Sequence, residues 1–363
     1  MKLALFTHLS WPEKINQPSV FYNAVDQVHL AESIGFDSAW FAEHHFTRYS
    51  MGASLLVILG HIAATTKNIR LGTGVLIPNL HNPIRLAEDT ATVDVLSNGR
   101  LDVGFGRGVY GYEYGGFNVQ AEESQERFQE TVLSICDLWS NKSVCMEGRF
   151  HQLRNIDLVP SPIQVPHPPV YIAATRSPDT LDFLITNGFL LCIAVVQDTE
   201  LALKLVSRYE EKCKAIGRSP HMDKVPFFRY VHVAENESQA IENTKTHIDW
   251  IQDIMQWKRH LLDRTEVYQP MDEWLKSRNE LPPTFKQIRD NRAFIGTPEH
   301  VAEQILGLRE HGIEYFGCNF AMGGLTQEKI IASMKLFEKR VMPLIQSSIY
   351  YLSLFNLATL SIY

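Results

Sequence analysis

The residues best equipped for chemistry are Glu43, His44 and His45, which close the apolar, aromatic run from Gly35 to Ala42. Histidine has the side-chain pKa nearest neutrality, so it is the usual group for moving a proton. Two histidines and a carboxylate where a buried strand ends place titratable groups at the rim of a scaffold. Adjacent residues on extended backbone point to opposite faces, so at most one of His44 and His45 can face a given ligand directly. The same trio could ligate a metal, but that needs further Asp, Glu or His at other strand ends. Strands three to five end in Gly, Thr and Ser, which leaves His8, after the first strand, as the obvious extra ligand. No metal centre is therefore expected.

Other loops add to this picture. Gly72-Thr73-Gly74-Val75 offers glycines that permit tight backbone close to a flat ligand. Gly104 to Tyr110 carries Arg107 between Gly106 and Gly108. Thr175-Arg176-Ser177-Pro178 leads into a helix whose first amides could hold a phosphate. Gly106 to Gly111 satisfies the dinucleotide pattern GxGxxG, yet it follows a fourth strand rather than a first. Tyr112-Glu113-Tyr114-Gly115-Gly116 then stands where a helix would be required, and the pattern alone is weak. An arginine flanked by glycines, near a loop rich in hydroxyls, better suits one terminal phosphate. A mononucleotide such as FMN is the natural candidate.

These loops need a scaffold, and the chain supplies alternating strands and helices. Strands are expected at Leu3–Thr7, Ser38–Phe41, Arg70–Thr73, Leu101–Gly104, Val170–Ala173, Leu190–Val195, Pro226–Val233 and Glu314–Asn319, nearly all followed by a helical segment. Met146–Leu153 reads as a hairpin turning at Gly148. Eight such units make a (β/α)8 TIM barrel, with a doubly wound sheet as the competitor. In a barrel the loops after the strands gather on one face and build the site. The segment Ile254–Arg292 does not fit the repeating unit and reads as an irregular lid insertion. Thr297-Pro298 after it opens a helix, with threonine as N-cap and proline at the first turn.

Composition bounds the alternatives. A chain of 363 residues with 45% hydrophobic and 21% charged residues is ordinary for a globular α/β protein. A net charge of −7 without a basic run argues against nucleic acid. Five scattered cysteines without a CxxC suggest reduced thiols and a cytoplasmic setting. The uncharged tail, residues 346–363, falls short of the roughly 20 apolar residues of a membrane span, and no membrane partner is expected.

Trp40 to Phe46, Gly72-Thr73, Ala87-Glu88-Asp89, Ser97 to Arg100, Gly106 to Tyr110, Gly296 to Glu299, Ile330 to Phe337 and Val341-Met342-Pro343 together resemble bacterial luciferase. The similarity is greatest to its catalytic α subunit and extends to the luciferase-like flavin monooxygenases, over residues 1 to 345. It implies a single TIM-barrel domain that uses reduced FMN from a separate flavin reductase. It also implies reaction with O2 through a flavin C4a-hydroperoxide to oxidise a small organic substrate, with a long-chain aldehyde and light emission as one version.

By the same resemblance His44 matches the proton-transfer group, with Glu43 and His45 its neighbours. Arg107 matches the phosphate-gripping arginine, and Thr175, Arg176 and Ser177 further phosphate donors. Gly106 and Val109 fall at the cofactor, and Gly74–Val75 where the family has a non-prolyl cis peptide under the isoalloxazine. His8, Tyr110 and Trp250 fall at the substrate pocket. Gly106 replaces a reactive cysteine of the α subunit, which implies an enlarged cavity. Helices two and three, including Leu86–Leu96, imply a homodimer, or a heterodimer if a β-like subunit exists. Two rival readings are a deazaflavin-dependent hydride-transfer enzyme and a non-catalytic flavin-binding protein.

Overall fold

Side chains of the first strand, β1 (Lys2–Thr7), divide between two apolar cores. Leu3 and Leu5 pack with helix residues such as Val28, Leu59 and Ile305, whereas Ala4 and Phe6 join Trp40, Tyr171, Phe228 and Tyr230. Successive strand residues face opposite ways, so this alternation marks a sheet with one face under helices and the other turned inward. The computed structural model describes residues 1–175, 177–260, 275–276 and 281–347.

The strands that follow are β2 (Ser38–Phe41), β3 (Arg70–Leu76), β4 (Leu101–Phe105), β5 (Val144–Glu147), β6 (Gln152–Ile156), β7 (Val170–Ala173), β8 (Leu190–Cys192), β9 (Phe227–Val233), β10 (Ala293–Gly296) and β11 (Tyr315–Asn319). Nine of them form one parallel sheet in the order β10-β9-β11-β1-β2-β3-β4-β7-β8, while β5 and β6 pair antiparallel as the expected hairpin. A parallel bridge between Ile193, just past β8, and Phe227 of β9 curls the sheet back on itself. The result is a TIM-barrel-like α/β fold.

The main helices among the described residues are α1 (Gln17–Ser33), α2 (Leu55–Thr65), α3 (Pro83–Leu96), α4 (Gly111–Gly116), α5 (Ser124–Ser140), α6 (Pro178–Asn187), α7 (Thr199–Ala215), α8 (Glu237–His260), α9 (Phe285–Arg292), α10 (Pro298–Arg309) and α11 (Gln327–Leu336). Their starts follow local chemistry. Asn82 accepts the Ile84 and Arg85 amides ahead of Pro83, and Thr297 accepts the His300 amide ahead of Pro298, as its sequence predicts. Inside the barrel Trp40 is fully buried, its indole donating to Ser38 Oγ at 2.7 Å. Gly72 lies against that ring, where a Cβ would meet Trp40 Cδ2 at 2.1 Å, so only glycine fits.

Three expectations change. Gly111–Gly116 is helical, so the absence of a helix after the glycine pattern is not a reason to reject a dinucleotide; its place on the fourth strand is. The segment expected as an irregular insertion, Ile254–Arg292, is helical at both ends. Helix α8 continues to His260, and α9 is opened by a Thr284–Gln287 capping box. Residues 261–274 and 277–280 of the segment lie outside the described residues, as does the tail beyond residue 347. Finally, β10 is an additional strand of only four residues, fully buried beside β9, too short to stand out from the helical segments flanking it.

Candidate active site

The C-terminal ends of β2, β3, β4, β7 and β8 open on one cavity of about 210 Å³. Its walls hold His8, Glu43, His44, Gly74, Val75, Gly106, Arg107, Val109, Tyr110, Thr175 and Ser177. Arg176 lies outside the described residues. His45 and Trp250 do not line the cavity. His45 turns the other way, as alternation on extended backbone requires, and Trp250 packs against the inner apolar core.

The histidine end is closely wired. His44 Nδ1 donates to Glu113 Oε1 at 3.0 Å, and the same oxygen accepts the His45 amide at 3.0 Å. Because an ionised carboxylate only accepts, this bond places the ring proton on Nδ1 and leaves Nε2 as the basic nitrogen. Burial lowers the His44 pKa, Lys258 lowers it further, and the Glu113 and Glu43 carboxylates oppose them. Burial also acts to raise the Glu113 carboxyl, but its His44 bond and the nearby Lys258 hold it below its ordinary value.

His8 is buried between Tyr49, whose hydroxyl is 3.0 Å from Nε2, and Asn319, which donates to Nδ1 at 3.2 Å. Burial, with His44 and Lys258 nearby, keeps its pKa well below the usual value. Glu43 backs the wall: its Oε1 accepts His45 Nε2 at 2.8 Å and His81 Nε2 at 2.6 Å, and its Oε2 accepts the Ile77 amide at 2.6 Å. These bonds outweigh burial and lower its pKa. The three ligand-type atoms of Glu43, His45 and His81 lie within 4.8 Å of one another, a grouping the sequence does not announce because His81 follows a different strand.

The opposite end is open. The Arg107 backbone is fixed by Asn79 and Tyr114, which both donate to its carbonyl, while its guanidinium makes no hydrogen bond or ion pair among the described residues. Ser177 caps α6, accepting the Thr180 amide at 3.4 Å, with Pro178 in the first turn. Between the ends, Gly74, Gly106, Ala42, Ala173, Ala174 and Ala194 leave little side chain on the walls. The Gly74–Val75 peptide is cis, where the resemblance places such a bond. Gly106 does not enlarge the cavity as expected. A Cβ there would meet Val75 Cγ2 at 2.4 Å, so the valine already occupies that space.

Glu113 and Lys258 are absent from the reading of the sequence. Lys258 carries a visible signal, since Ile251, Ile254, Met255 and Lys258 share one helical stripe and put a lysine on a buried face. Glu113 is less legible, a lone acid between two tyrosines in a segment read as irregular.

A family model described as luciferase-like monooxygenase matches residues 1–315. The oxygenase component of the flavin-dependent trigonelline monooxygenase of Acinetobacter baylyi is 29% identical over 249 residues, 66% of this chain and 67% of that protein. The alkanal monooxygenase alpha chain of Aliivibrio fischeri is 24% identical over 332 residues, 86% of this chain and 90% of its own. Among solved structures, the oxygenating constituent of 3,6-diketocamphane monooxygenase from Pseudomonas putida, in complex with FMN, superposes with a TM-score of 0.78 at 19% identity, over 94% of this chain and 98% of that one. The coenzyme F420 dependent tetrahydromethanopterin reductase of Methanopyrus kandleri reaches 0.70 at 20% identity, over 95% and 99%. The non-catalytic reading thus gives way to an enzyme. The chain belongs to the luciferase-like monooxygenase family and is a flavin-dependent monooxygenase.

Proposed function

We propose that this enzyme is the oxygenase of a two-component system that takes reduced FMN from a separate reductase. In this reading it inserts one oxygen atom of O2 into a small organic substrate. The observation that carries the proposal is the cavity's division into a buried proton-handling end at His44–Glu113 and an open cationic end at Arg107. The residues fit FMN. Gly74, Gly106 and the four alanines leave room for a flat ring, and the Arg107 guanidinium, the hydroxyls of Thr175 and Ser177 and the first amides of α6 suit a phosphate. When bound, reduced FMN supplies the electrons that activate O2.

The protein's own residues do the rest. His44 Nε2 accepts and returns a proton beside the ring while Glu113 fixes the tautomer. His8 and Tyr110 bound the substrate space. The lid expected of segment 254–292 would keep water from the cavity, and residues 261–274 and 277–280 of that segment lie outside the described residues. Exposed Val57 and Leu96, on α2 and α3, suit a homodimer, and the free cysteines suit a cytoplasmic setting. Among the described residues no helix is long and apolar enough to cross a membrane. A long-chain aldehyde with light emission is one version of the chemistry, supported by similarity to the alkanal monooxygenase chain.

The deciding experiment supplies photoreduced FMN and 18O2 with a substrate panel that includes decanal. One labelled atom in the product supports the proposal. Product without label would contradict the proposed oxygen insertion.

A further inference from the structure

Lys258 is 1% exposed, and its Nζ has no hydrogen-bond partner among the described residues. The ammonium lies 3.9 Å from the centroid of the Tyr110 ring, 4.3 Å from that of Tyr49 and 5.9 Å from that of Tyr112. Cation–π attraction to tyrosine faces thus stands where an ion pair would ordinarily be found for a buried lysine. Two of the same rings bracket His44, with centroids 5.2 Å (Tyr49) and 5.6 Å (Tyr110) from the imidazole. Aromatic side chains therefore fill the space between ammonium and imidazole, and such a medium screens charge poorly.

The groups facing His44 are Glu113 from α4, Glu43 preceding it, His8 from the end of β1 with its ring 6.4 Å away, Tyr49, Tyr110 and Lys258 from α8. Arg107 stands in the same cavity. Facing Lys258 are the three tyrosines, Glu113 and His8. Glu113 is within electrostatic reach of Lys258, yet its free oxygen, Oε2, makes no hydrogen bond to it.

We propose that Lys258 is a positioning residue for the proton chemistry of His44: a caged cation that keeps the imidazole uncharged and so able to accept a proton at Nε2. This rests on the role proposed above for His44. The electrostatics agree in direction. After burial, Lys258 is the largest influence lowering the His44 pKa, and it also lowers that of His8. Burial pushes Lys258 itself down to about 7, so it remains charged through the range below neutrality in which a histidine ordinarily takes its proton.

The test is histidine-labelled NMR of the flavin-free protein, with the His44 signal assigned by its loss in His44→Gln. Removing a nearby cation makes imidazolium easier to form. In Lys258→Met, and in Lys258→Gln as a second neutral variant in case the first fails to fold, the His44 titration should move to higher pH. Lys258→Arg, which keeps the charge, should hold it near the wild-type position. The acidic limb of the turnover profile should move up with the imidazole in the neutral variants, so that they fall further below wild type at pH 6 than at pH 8. An unmoved His44 titration in both neutral variants would overturn the proposal, whatever the turnover profile does. A moved imidazole with an unmoved turnover limb would instead overturn the role of His44 in the proposed function, leaving the electrostatic coupling itself in place.

Discussion

The two ends of the cavity are built in opposite ways. At the histidine end, His8, Glu43 and Glu113 are buried and bonded to Tyr49 and Asn319, to His45 and His81, and to His44 respectively. At the other end Arg107 is half-buried, Thr175 is exposed and Val109 is 75% exposed. A group that must transfer a proton gains from fixed geometry and a poorly screening environment, because its tautomer and charge are then set before the ligand arrives. A group that must recognise an anion gains from keeping its donors available, since the ligand supplies the missing countercharge. One cavity can serve both needs because its walls come from different strands.

The largest expected effect comes from breaking the wired end. Replacing His44 by Ala should lower substrate-coupled oxygen uptake by about 10²- to 10⁴-fold, the usual share of general acid–base catalysis. FMN binding, followed by fluorescence quenching, should stay close to wild type. Glu113→Gln comes next. Losing a charged hydrogen-bond acceptor should cost about 1.5–3 kcal/mol in urea unfolding at neutral pH. The carboxyl's folded pKa is depressed, so its contribution is present above its ordinary value of 4.5 and fades as pH falls through the lowered one. The gap between wild type and variant should close in the same sense.

A smaller effect sharpens the boundary between the ends. Gly106→Ala places a Cβ against Val75 Cγ2, which should destabilise the fold by about 1–3 kcal/mol, and adding Val75→Ala should recover most of it. The smallest is His81→Gln behind the wall. Burial acts against the His81 charge, but Glu43 and Asp89 outweigh it and raise the pKa. The stabilisation from such a raised group is complete below its ordinary value of 6.5 and is lost as pH rises through the raised one. Thermal unfolding should therefore show a loss of about 1 kcal/mol or less at pH 6 and almost none at pH 9.

The contrast between the ends also explains what the sequence discloses. The strands of the main sheet are mostly short apolar runs, and where such a run meets a small residue, as Phe41 meets Ala42 and Phe105 meets Gly106, it locates the rim directly. Arg107 is legible because glycines isolate it. His44 is legible as a candidate, but which of His44 and His45 faces inward depends on where the strand places its last residue, which sequence does not specify to one position. The wiring is hidden for another reason. Glu113, Asn319 and Lys258 reach the histidines from a helix, a strand end and another helix far along the chain, and Tyr49 from the loop after β2, through contacts that no local pattern announces. Val75 filling the space beside Gly106 is a packing result of the same kind.

The most direct measurement for the two-ended cavity is equilibrium binding of FMN and riboflavin to the wild type and to Arg107→Ala. The two ligands differ only in the phosphate. The wild type should prefer FMN, and the variant should lose most of that preference, with about a tenfold or greater loss for FMN and little change for riboflavin. Equal losses for both ligands, or an undiminished preference for FMN, would contradict the assignment of Arg107 and with it the division of the cavity.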